Sequence, residues 1–281
     1  MSYRYGASYL DPGLNTLVAP TGTTIYPLYV FGANNIGQLG IGNTTNYSSP
    51  KQVTSLSAWS KAVVASNSSF GIKSNGTLWA WGNNYLGGLG LGTSSTFYSS
   101  PVQVGALTNW LSVTGGYCVT AAIKTDGTLW TWGSNPNGQL GLGNRTYYSS
   151  PKQVGSLTNW ANVSSADAFM CAVKTNGTLW SWGYNAYGQL GNNNTNYYSS
   201  PKQIGALATW STISAGYAYA QSIKNDGTLW SWGRNQNGQL GQGNTTNLSS
   251  PQQIGSSTFW TFVNANNSAR NSNMVFGINK H

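Results

Sequence analysis

The sequence predicts an all-β fold, a single β-propeller of five repeats of about 50 residues each, closed by pairing of its N- and C-terminal strands. Three observations predict it: a constant repeat period, alternating apolar side chains within each repeat, and a turn signal at a fixed place. The period is clearest in a Ser-Pro pair, whose proline recurs at Pro50, Pro101, Pro151, Pro201 and Pro251.

The strand predicted in the sequence GTLWAWG, at residues 76–82, is apolar on both faces. Trp79 and Trp81 lie on one face, and Leu78 and Ala80 lie on the other, so packed neighbours are expected on both sides. All thirteen Trp occupy three positions of the repeat, and each buried ring removes about 150–250 Å² from water. The rings are therefore predicted to pack the core, and none is left over for a ligand cage.

A turn precedes this strand in each repeat, where the sequence reads KSNGTL, KTDGTL, KTNGTL or KNDGTL. Asn-Gly and Asp-Gly between two strands are the strongest short signals for a hairpin. Asn75 and Asn176 alternate with Asp126 and Asp226 here, so we expect this position to need a side chain that tolerates positive φ rather than a carboxylate. After the strand, the glycines of GQLGLG predict a tight, irregular loop.

The two ends of the chain predict how the ring closes. The segment VFGIN at 275–279 matches SFGIK at 69–73, and the strand that should follow it stands near the other end, at 26–32. There Tyr29 and Phe31 replace the two Trp of the other repeats. The N-terminal strand is expected to complete the last blade, which divides the chain into an arm at 1–24 and a propeller at 25–281. The alternative is an open arc that closes only by pairing with another subunit.

The repeated string WGxNxxGQLGxG, followed by SPxQV and then by KxDGTLWxWG, recurs across residues 26–281. It resembles the repeat of the regulator of chromosome condensation (RCC1-like) family. The resemblance implies a β-propeller, which has seven blades in the best-known members. Members act as nucleotide-exchange factors for small GTPases, enzyme inhibitors, photoreceptors and binding platforms. This sequence shows neither the polar, partly acidic face and inserted wedge of the exchange factors nor the Gly-Trp-Arg-His-Thr string of the photoreceptors.

Side chains suited to catalysis or metal binding are scarce. The only His is His281, the four acidic residues are all Asp, and no carboxylate pair can be proposed for hydrolysis or metal binding. Cys118 and Cys171 lack a metal-like spacing and an apparent neighbouring base, so they are predicted to be buried thiols. We therefore predict a protein that is not an enzyme, with no catalytic residue, no metal ligand and no cofactor.

The charge pattern favours a protein partner. Charged residues make up 6% of the chain, and the formal net charge is +9 because acidic residues are rare. Most lysines recur singly, at two separate positions of the repeat, which disfavours the continuous basic stripe of a nucleic-acid site. No apolar run approaches the ~20 residues of a membrane helix, so membrane insertion is not expected.

Aromatic loop residues are the predicted binding site. We predict that the loop before each Ser-Pro forms an aromatic ring on one face and that a second loop set lines the axial opening; the alternative is that these tyrosines pack down over the next blade. The first set is Tyr47, Phe97, Tyr98, Tyr147, Tyr148, Tyr197 and Tyr198, and the second set is Tyr117 and Tyr217. The arm supplies a further predicted docking segment with Tyr3, Arg4, Tyr5 and Tyr9.

These features predict a non-enzymatic structural or recognition protein. The Asn, Ser, Thr, Gly and Tyr content and the lack of a signal peptide suggest a virion protein, such as a phage capsid decoration or a tail protein. Its expected partners are other virion proteins, a host surface receptor or a glycan, with an oligomer forming within the assembly. The expected location is the virion, or otherwise the cytoplasm. The alternatives are an intracellular regulator of the small-GTPase exchange-factor type and a carbohydrate-binding module.

Overall fold

The computed structural model describes residues 27–54, 58–94 and 96–265, together with the backbone of three short strands at 17–18, 24–25 and 275–279. Every regular element in this part of the chain is a β-strand, apart from one 3₁₀ turn at Tyr85–Gly87. The strands form four antiparallel sheets of four strands and three sheets of two strands. The all-β prediction is confirmed.

The strands follow one another in chain order within each sheet. The short strands β1 (Leu17–Val18) and β2 (Thr24–Ile25) pair with each other, and the N-terminal half-blade consists of β3 (Tyr29–Gly32) and β4 (Tyr47–Gln52). Blade 1 contains β5 (Trp59–Val64), β6 (Ser68–Lys73), β7 (Leu78–Asn83) and β8 (Phe97–Gln103). Blade 2 contains β9 (Trp110–Gly115), β10 (Val119–Lys124), β11 (Leu129–Gly133) and β12 (Tyr148–Gln153). Blade 3 contains β13 (Trp160–Ser165), β14 (Phe169–Lys174), β15 (Leu179–Gly183) and β16 (Tyr198–Gln203). Blade 4 contains β17 (Ser214–Ala215), β18 (Tyr219–Ile223), β19 (Leu229–Gly233) and β20 (Leu248–Gln253), and the C-terminal half-blade consists of β21 (Trp260–Ala265) and β22 (Val275–Asn279).

The predicted hairpin turn joins the second and third strands of every complete blade, but its chemistry differs from the prediction. Asp126 does not have a positive φ; the following Gly127 does, at 76°. The carboxylate of Asp126 instead accepts hydrogen bonds from the backbone N–H (3.0 Å) and the hydroxyl (2.7 Å) of Thr128. Asn75 accepts the same pair of bonds from Thr77. The position therefore requires a side-chain oxygen acceptor, which Asn and Asp share.

The second Trp of each LWxWG strand connects neighbouring blades. Trp132 is fully buried, and its indole N–H donates to the carbonyl of Gly88 in blade 1 (3.0 Å). A Cβ on Gly90 would lie 2.8 Å from the indole nitrogen, so only glycine lets the loop approach this ring. The same donor–acceptor pairs recur at four junctions, in which Trp81, Trp132, Trp182 and Trp232 donate to Gln38, Gly88, Gln139 and Gln189.

The other Trp rings pack within the blades. Trp110 contacts Trp130 and Trp132 edge-on, with ring centroids 6.2 Å and 6.1 Å apart. Trp130 is half-buried and donates its indole N–H to the hydroxyl of Thr128 (2.9 Å). The ammonium group of Lys124 lies 3.6 Å from the centre of the Trp130 ring, a cation–π contact. The predicted packing role of these rings is confirmed.

A buried asparagine organises the glycine-rich loop after each LWxWG strand. The Asn135 side-chain oxygen accepts the N–H of Leu140 (2.9 Å), and its amide donates to the carbonyls of Asn144 (3.1 Å) and Thr146 (3.0 Å). This side chain satisfies the polar backbone of a loop that has no regular structure. The residues that accept the equivalent leucine N–H are Asn34, Asn84, Asn135, Asn185 and Asn235.

The predicted pairing of the two chain ends is not among the strand pairs of the described residues. Among the described strands, β3 pairs only with β4 and β22 pairs only with β21, so the two half-blades are separate sheets. Neighbouring blades meet through the same indole contact, and β3 and β22 belong to the half-blades at the two ends of this series.

The junctions give a first prediction. Replacing Trp182 by Phe removes a buried donor and leaves the Gln139 carbonyl unpaired, so we expect a loss of about 2–4 kcal/mol in the free energy of unfolding. Trp180→Phe, in the same strand, loses a half-buried bond to Thr178 but keeps an aromatic ring beneath Lys174, so it should cost about 1 kcal/mol. Urea denaturation followed by circular dichroism measures both. Equal losses in the two variants would contradict the interblade role of Trp182.

Candidate functional site

The two loop sets that were predicted to bind a partner lie at the same end of the blades. In blade 2, Gly133 pairs with Val119 on one side and with Tyr148 on the other. The loop between β9 and β10 and the loop between β11 and β12 therefore leave the sheet at one edge. The hairpin turns and the loops between blades lie at the opposite edge. Tyr117 and Tyr147 thus belong to one surface.

Five predicted binding residues expose their rings on this surface. Phe97, Tyr147 and Tyr197 occupy equivalent positions in three successive blades and are 54%, 49% and 39% exposed. Tyr117 and Tyr217 are also exposed, in the loops between the first and second strands of blades 2 and 4. We call these five rings the aromatic face.

The remaining predicted tyrosines, Tyr47, Tyr98, Tyr148 and Tyr198, are half-buried. The ring of Tyr148 packs against the core, its hydroxyl accepts the side-chain N–H of Asn144 (3.3 Å), and the Lys152 ammonium lies 5.5 Å from the ring centre. Tyr98 and Tyr198 also pack against core clusters, and the Tyr47 hydroxyl accepts a bond from Asn43. Adjacent rings therefore have different environments. The first ring is exposed and the second packs against the core in the pairs Phe97–Tyr98, Tyr147–Tyr148 and Tyr197–Tyr198.

A cluster that the sequence analysis missed extends the aromatic face at blades 3 and 4. The Tyr184 and Tyr197 rings contact edge-on, with centroids 4.9 Å apart, and the Arg234 guanidinium lies 5.4 Å from the centre of the Tyr187 ring. Desolvation, with a contribution from its hydrogen bond to Tyr197, raises the pKa of Tyr184 to about 12. Other repeats have non-aromatic residues at the positions of Tyr184, so comparison between repeats could have found this cluster.

One carboxylate lies on this side of the described molecule. An Asp167 carboxylate oxygen accepts the backbone N–H of Tyr117 (3.0 Å), which links the loops of blades 3 and 2. Burial raises the pKa of Asp167 to about 6, although that hydrogen bond opposes the shift. The other two acidic residues of the described chain, Asp126 and Asp226, lie in hairpin turns at the opposite end.

The structure describes no arrangement suited to nucleophilic or metal chemistry. Both cysteines are free and buried, as predicted. Burial and the nearby Asp167 carboxylate raise the pKa of Cys118 to about 12, so its reactive thiolate is scarce at neutral pH. In the described ranges, no group of three or more His, Cys, Asp and Glu side chains could hold a metal ion. The same ranges contain no helix long and apolar enough to cross a membrane.

The opposite end of the blades has a different character. Its exposed apolar residues lie in the loops that connect consecutive sheets, namely Leu107, Leu157, Leu207 and Phe259. Its lysines are covered by indoles: Lys124 is 5% exposed and lies over Trp130, and desolvation lowers its pKa. The predicted docking residues of the arm, Tyr3, Arg4, Tyr5 and Tyr9, lie outside the described residues.

The sequence matches the family model for the regulator of chromosome condensation (RCC1) repeat at residues 27–72, 75–123, 126–173, 176–220 and 226–265. The X-linked retinitis pigmentosa GTPase regulator of Homo sapiens is 34% identical over 127 residues, which are 42% of this chain and 12% of that protein. The regulator of chromosome condensation of Xenopus laevis is 32% identical over 120 residues, which are 41% of this chain and 28% of that protein. The matched region thus spans less than a third of the length of either relative.

Two solved structures share the fold. Human WBSCR16 superposes with a TM-score of 0.74 at 20% identity, covering 84% of this chain and 64% of that chain. Prp20p from Saccharomyces cerevisiae, whose structure was described with its binding properties to Gsp1p and histones, superposes with a TM-score of 0.74 at 16% identity, covering 86% and 64%. Together with the five matched repeats, these likenesses confirm the predicted propeller architecture.

The buried carboxylate gives a second prediction. The folded-state pKa of about 6 lies above the ordinary value of 3.8, so the native state holds this proton more tightly than the unfolded state. The resulting stabilisation is fully present below pH 3.8 and is lost as the pH rises through 6. Asp167→Asn keeps an oxygen acceptor for Tyr117 without the charge. We expect the variant to be more stable than the wild type by on the order of 2 kcal/mol at about pH 7.5.

Urea denaturation of both proteins at about pH 7.5 and about pH 4 measures this difference. The gap should shrink towards the lower pH because the wild-type carboxyl becomes neutral there. A gap that is constant or larger at low pH would contradict the assignment of the shift to burial of Asp167.

Proposed function

The chain belongs to the family of proteins built from regulator of chromosome condensation (RCC1) repeats, and from this premise we propose that it is a non-enzymatic, regulator-type propeller that binds a protein partner through its aromatic face. The observation that carries the proposal is the different burial of adjacent rings in the same loop. Tyr148 packs against the core and is explained by stability, whereas Tyr147 is half exposed and contributes little to packing.

The composition of the aromatic face supports recognition of a protein surface. Tyr and Arg are enriched at the centres of protein interfaces, where a flat ring buries area at a low cost in side-chain entropy. Arg145 and Arg234 are the cationic groups of the loops that carry Tyr147 and the Tyr187 cluster. The one carboxylate here, Asp167, is largely buried and engaged with Tyr117. The face therefore suits a partner that presents apolar and acidic side chains together.

The variation between repeats agrees with a binding role. Where Phe97, Tyr147 and Tyr197 stand in three blades, the first and last repeats have Asn46 and Asn247. Both asparagines accept a loop N–H at 2.7 Å, from Asn34 and Asn235 respectively. Asparagine supports the loop in these two repeats, whereas in blade 1 the N–H of Asn84 donates to the carbonyl of Thr96 instead (3.1 Å). The exposed parts of the three aromatic rings are therefore available to a partner.

The related proteins favour a regulator over a virion component. The two relatives described above are named as regulators, one of them a GTPase regulator, and the superposed Prp20p was described with its binding to Gsp1p. Neither relative supports the capsid or tail role that composition suggested. A glycan-binding role through Tyr148 and Tyr198 has less support, because both rings are half-buried against the core.

The test uses three exposed residues at each end of the blades. Changing Phe97, Tyr147 and Tyr197 together to Asn introduces the residue that Asn46 and Asn247 already provide at this position. The matched control changes Leu107, Leu157 and Leu207 together to Ser, the residue present at the equivalent position 257. Immobilised wild type and both variants are exposed to an extract of the source cells, and captured proteins are quantified by mass spectrometry.

We expect the Asn variant to lose at least about tenfold of the captured partner, since loss of a few central aromatic contacts typically weakens binding by this much or more. The Ser variant should capture the partner as the wild type does. Loss of capture in the Ser variant alone would place the contact at the opposite end and overturn the proposal. Unchanged capture in both variants would also overturn it.

A small GTPase is the second candidate, as a specific partner class. It is favoured by the names of the relatives and tested by adding purified GTPases, loaded with a fluorescent nucleotide, to the chain. We expect binding without faster nucleotide release, because the aromatic face lacks the exposed carboxylates expected of the exchange factors. Accelerated release that survives the triple Asn change would place the GTPase elsewhere on the molecule.

A further inference from the structure

Each internal junction between blades has the same pair of complementary parts. One part is the glycine-rich loop of a blade, and the other is the outer half of the next blade. Across the junction between blades 1 and 2, the N–H of Gly92 donates to the carbonyl of Ser149 (2.8 Å), and Gly90 contacts the Trp132 ring. The bond to the serine carbonyl recurs at every internal junction, from Gly42, Gly92, Gly143 and Asn193.

The loop of blade 4 has these features without a partner among the described residues. We call the loop at 234–247 the socket. Gly191 in blade 3 is buried, and a Cβ on it would lie 2.9 Å from the Trp232 indole. The equivalent Gly241 is exposed, and its nearest described neighbour is Ile254 at 3.6 Å. Neither Gly238 nor Gly243 has a described atom within 4 Å of the Cβ position.

The N-terminal half-blade has the opposite deficiency. We call Phe31 on β3, with Ser48 and Ser49 on β4, the plug. Phe31 stands at the position of Trp232 and is 66% exposed, whereas Trp232 is 0% exposed. Ser48 and Ser49 correspond to the serines that receive the loop at internal junctions, and both are exposed. A large aromatic ring is therefore exposed to solvent in the N-terminal half-blade. In blade 4, the glycine that would contact such a ring is exposed as well.

These two ends are complementary, and we propose that the socket of one chain binds the plug of a second copy, head to tail. Within one chain, β3 and β22 share no sheet among the described strands. The superposition on Prp20p agrees with an open arrangement of the blades, because 86% of this chain aligns with 64% of that chain. The blades therefore follow the curvature of a longer propeller. The contact would also give the edge of β22 a strand, β3, that continues the sheet in the order seen in every complete blade.

The proposed contact has a defined symmetry. The socket and the plug are different surfaces, so the interface is heterologous, and a dimer still has one free socket and one free plug. Association should therefore continue beyond a dimer as the concentration rises, until a ring closes or a filament forms. This inference does not depend on the aromatic face, whose rings lie on the end of the blades rather than on the sheets.

The test is a site-directed disulfide between the two surfaces. At the internal junction of blades 2 and 3, a Cβ on Gly143 would lie 3.6 Å from the Ser200 hydroxyl oxygen. The corresponding residues of socket and plug are Gly243 and Ser49. Gly243→Cys and Ser49→Cys are made in separate full-length chains, mixed, and oxidised. Gly143→Cys with Ser200→Cys in one chain is the matched control, because Gly143 and Gly243 have nearly the same φ, at 76° and 70°.

We expect a covalent dimer in the mixture and none from either single variant alone. Phe31→Ser in the Ser49→Cys chain should reduce the yield about tenfold or more, because it removes the aromatic anchor of the contact. A double Gly243→Cys, Ser49→Cys chain that cross-links only within itself, with no dimer in the mixture, would show closure within one chain and overturn the proposal. Absence of both products, with the internal control formed, would overturn it as well.

Discussion

The hydrogen bond from a buried indole to a carbonyl of the preceding blade is the interaction on which the rest of the structure depends. In each case the second Trp of LWxWG lies against a glycine of the preceding loop, and Trp182 with Gly141 is one example. The bond orients the indole between one sheet and the next, and the ring is buried there. Because the contact needs no charge, the fold is maintained with only 6% charged residues. The glycine is as necessary as the ring, since any side chain there would occupy the space of the indole.

This arrangement leaves the two ends of the blades free to vary. The strands and the buried loop asparagines repeat almost unchanged, whereas the exposed loop positions differ from blade to blade. Asp167 stands where two other blades have Tyr117 and Tyr217, and Tyr184 stands where another has Ser134. A scaffold that does not depend on these residues can carry a recognition surface on them. The two half-blades at the ends of the series are also free to take part in recognition. There, the glycine-rich loop of blade 4 and the ring of Phe31 lack the partner that their equivalents have at internal junctions among the described residues.

The sequence predicted well the features that depend on short-range pattern. The alternation of Trp79 and Trp81 with small apolar residues identified a strand buried on both faces, and Asn-Gly or Asp-Gly identified the hairpin. It did not separate Tyr147 from Tyr148, because two adjacent rings on a strand point to opposite sides and the irregular approach of the loop decides which is covered. The role of Asn135 was also missed, since a polar residue in a loop gives no periodic signal. How the two chain ends pair is a long-range feature of the sheets, which no local motif encodes.

Hydrogen exchange of the indole N–H groups, resolved by NMR for each assigned Trp, tests the interblade bond most directly. The N–H groups of Trp81, Trp132, Trp182 and Trp232 should exchange only through separation of blades, and therefore far more slowly than those of the half-buried Trp79, Trp130, Trp180 and Trp230. Equal exchange in the two groups, or faster exchange in the first, would contradict the claim that these bonds hold the blades together.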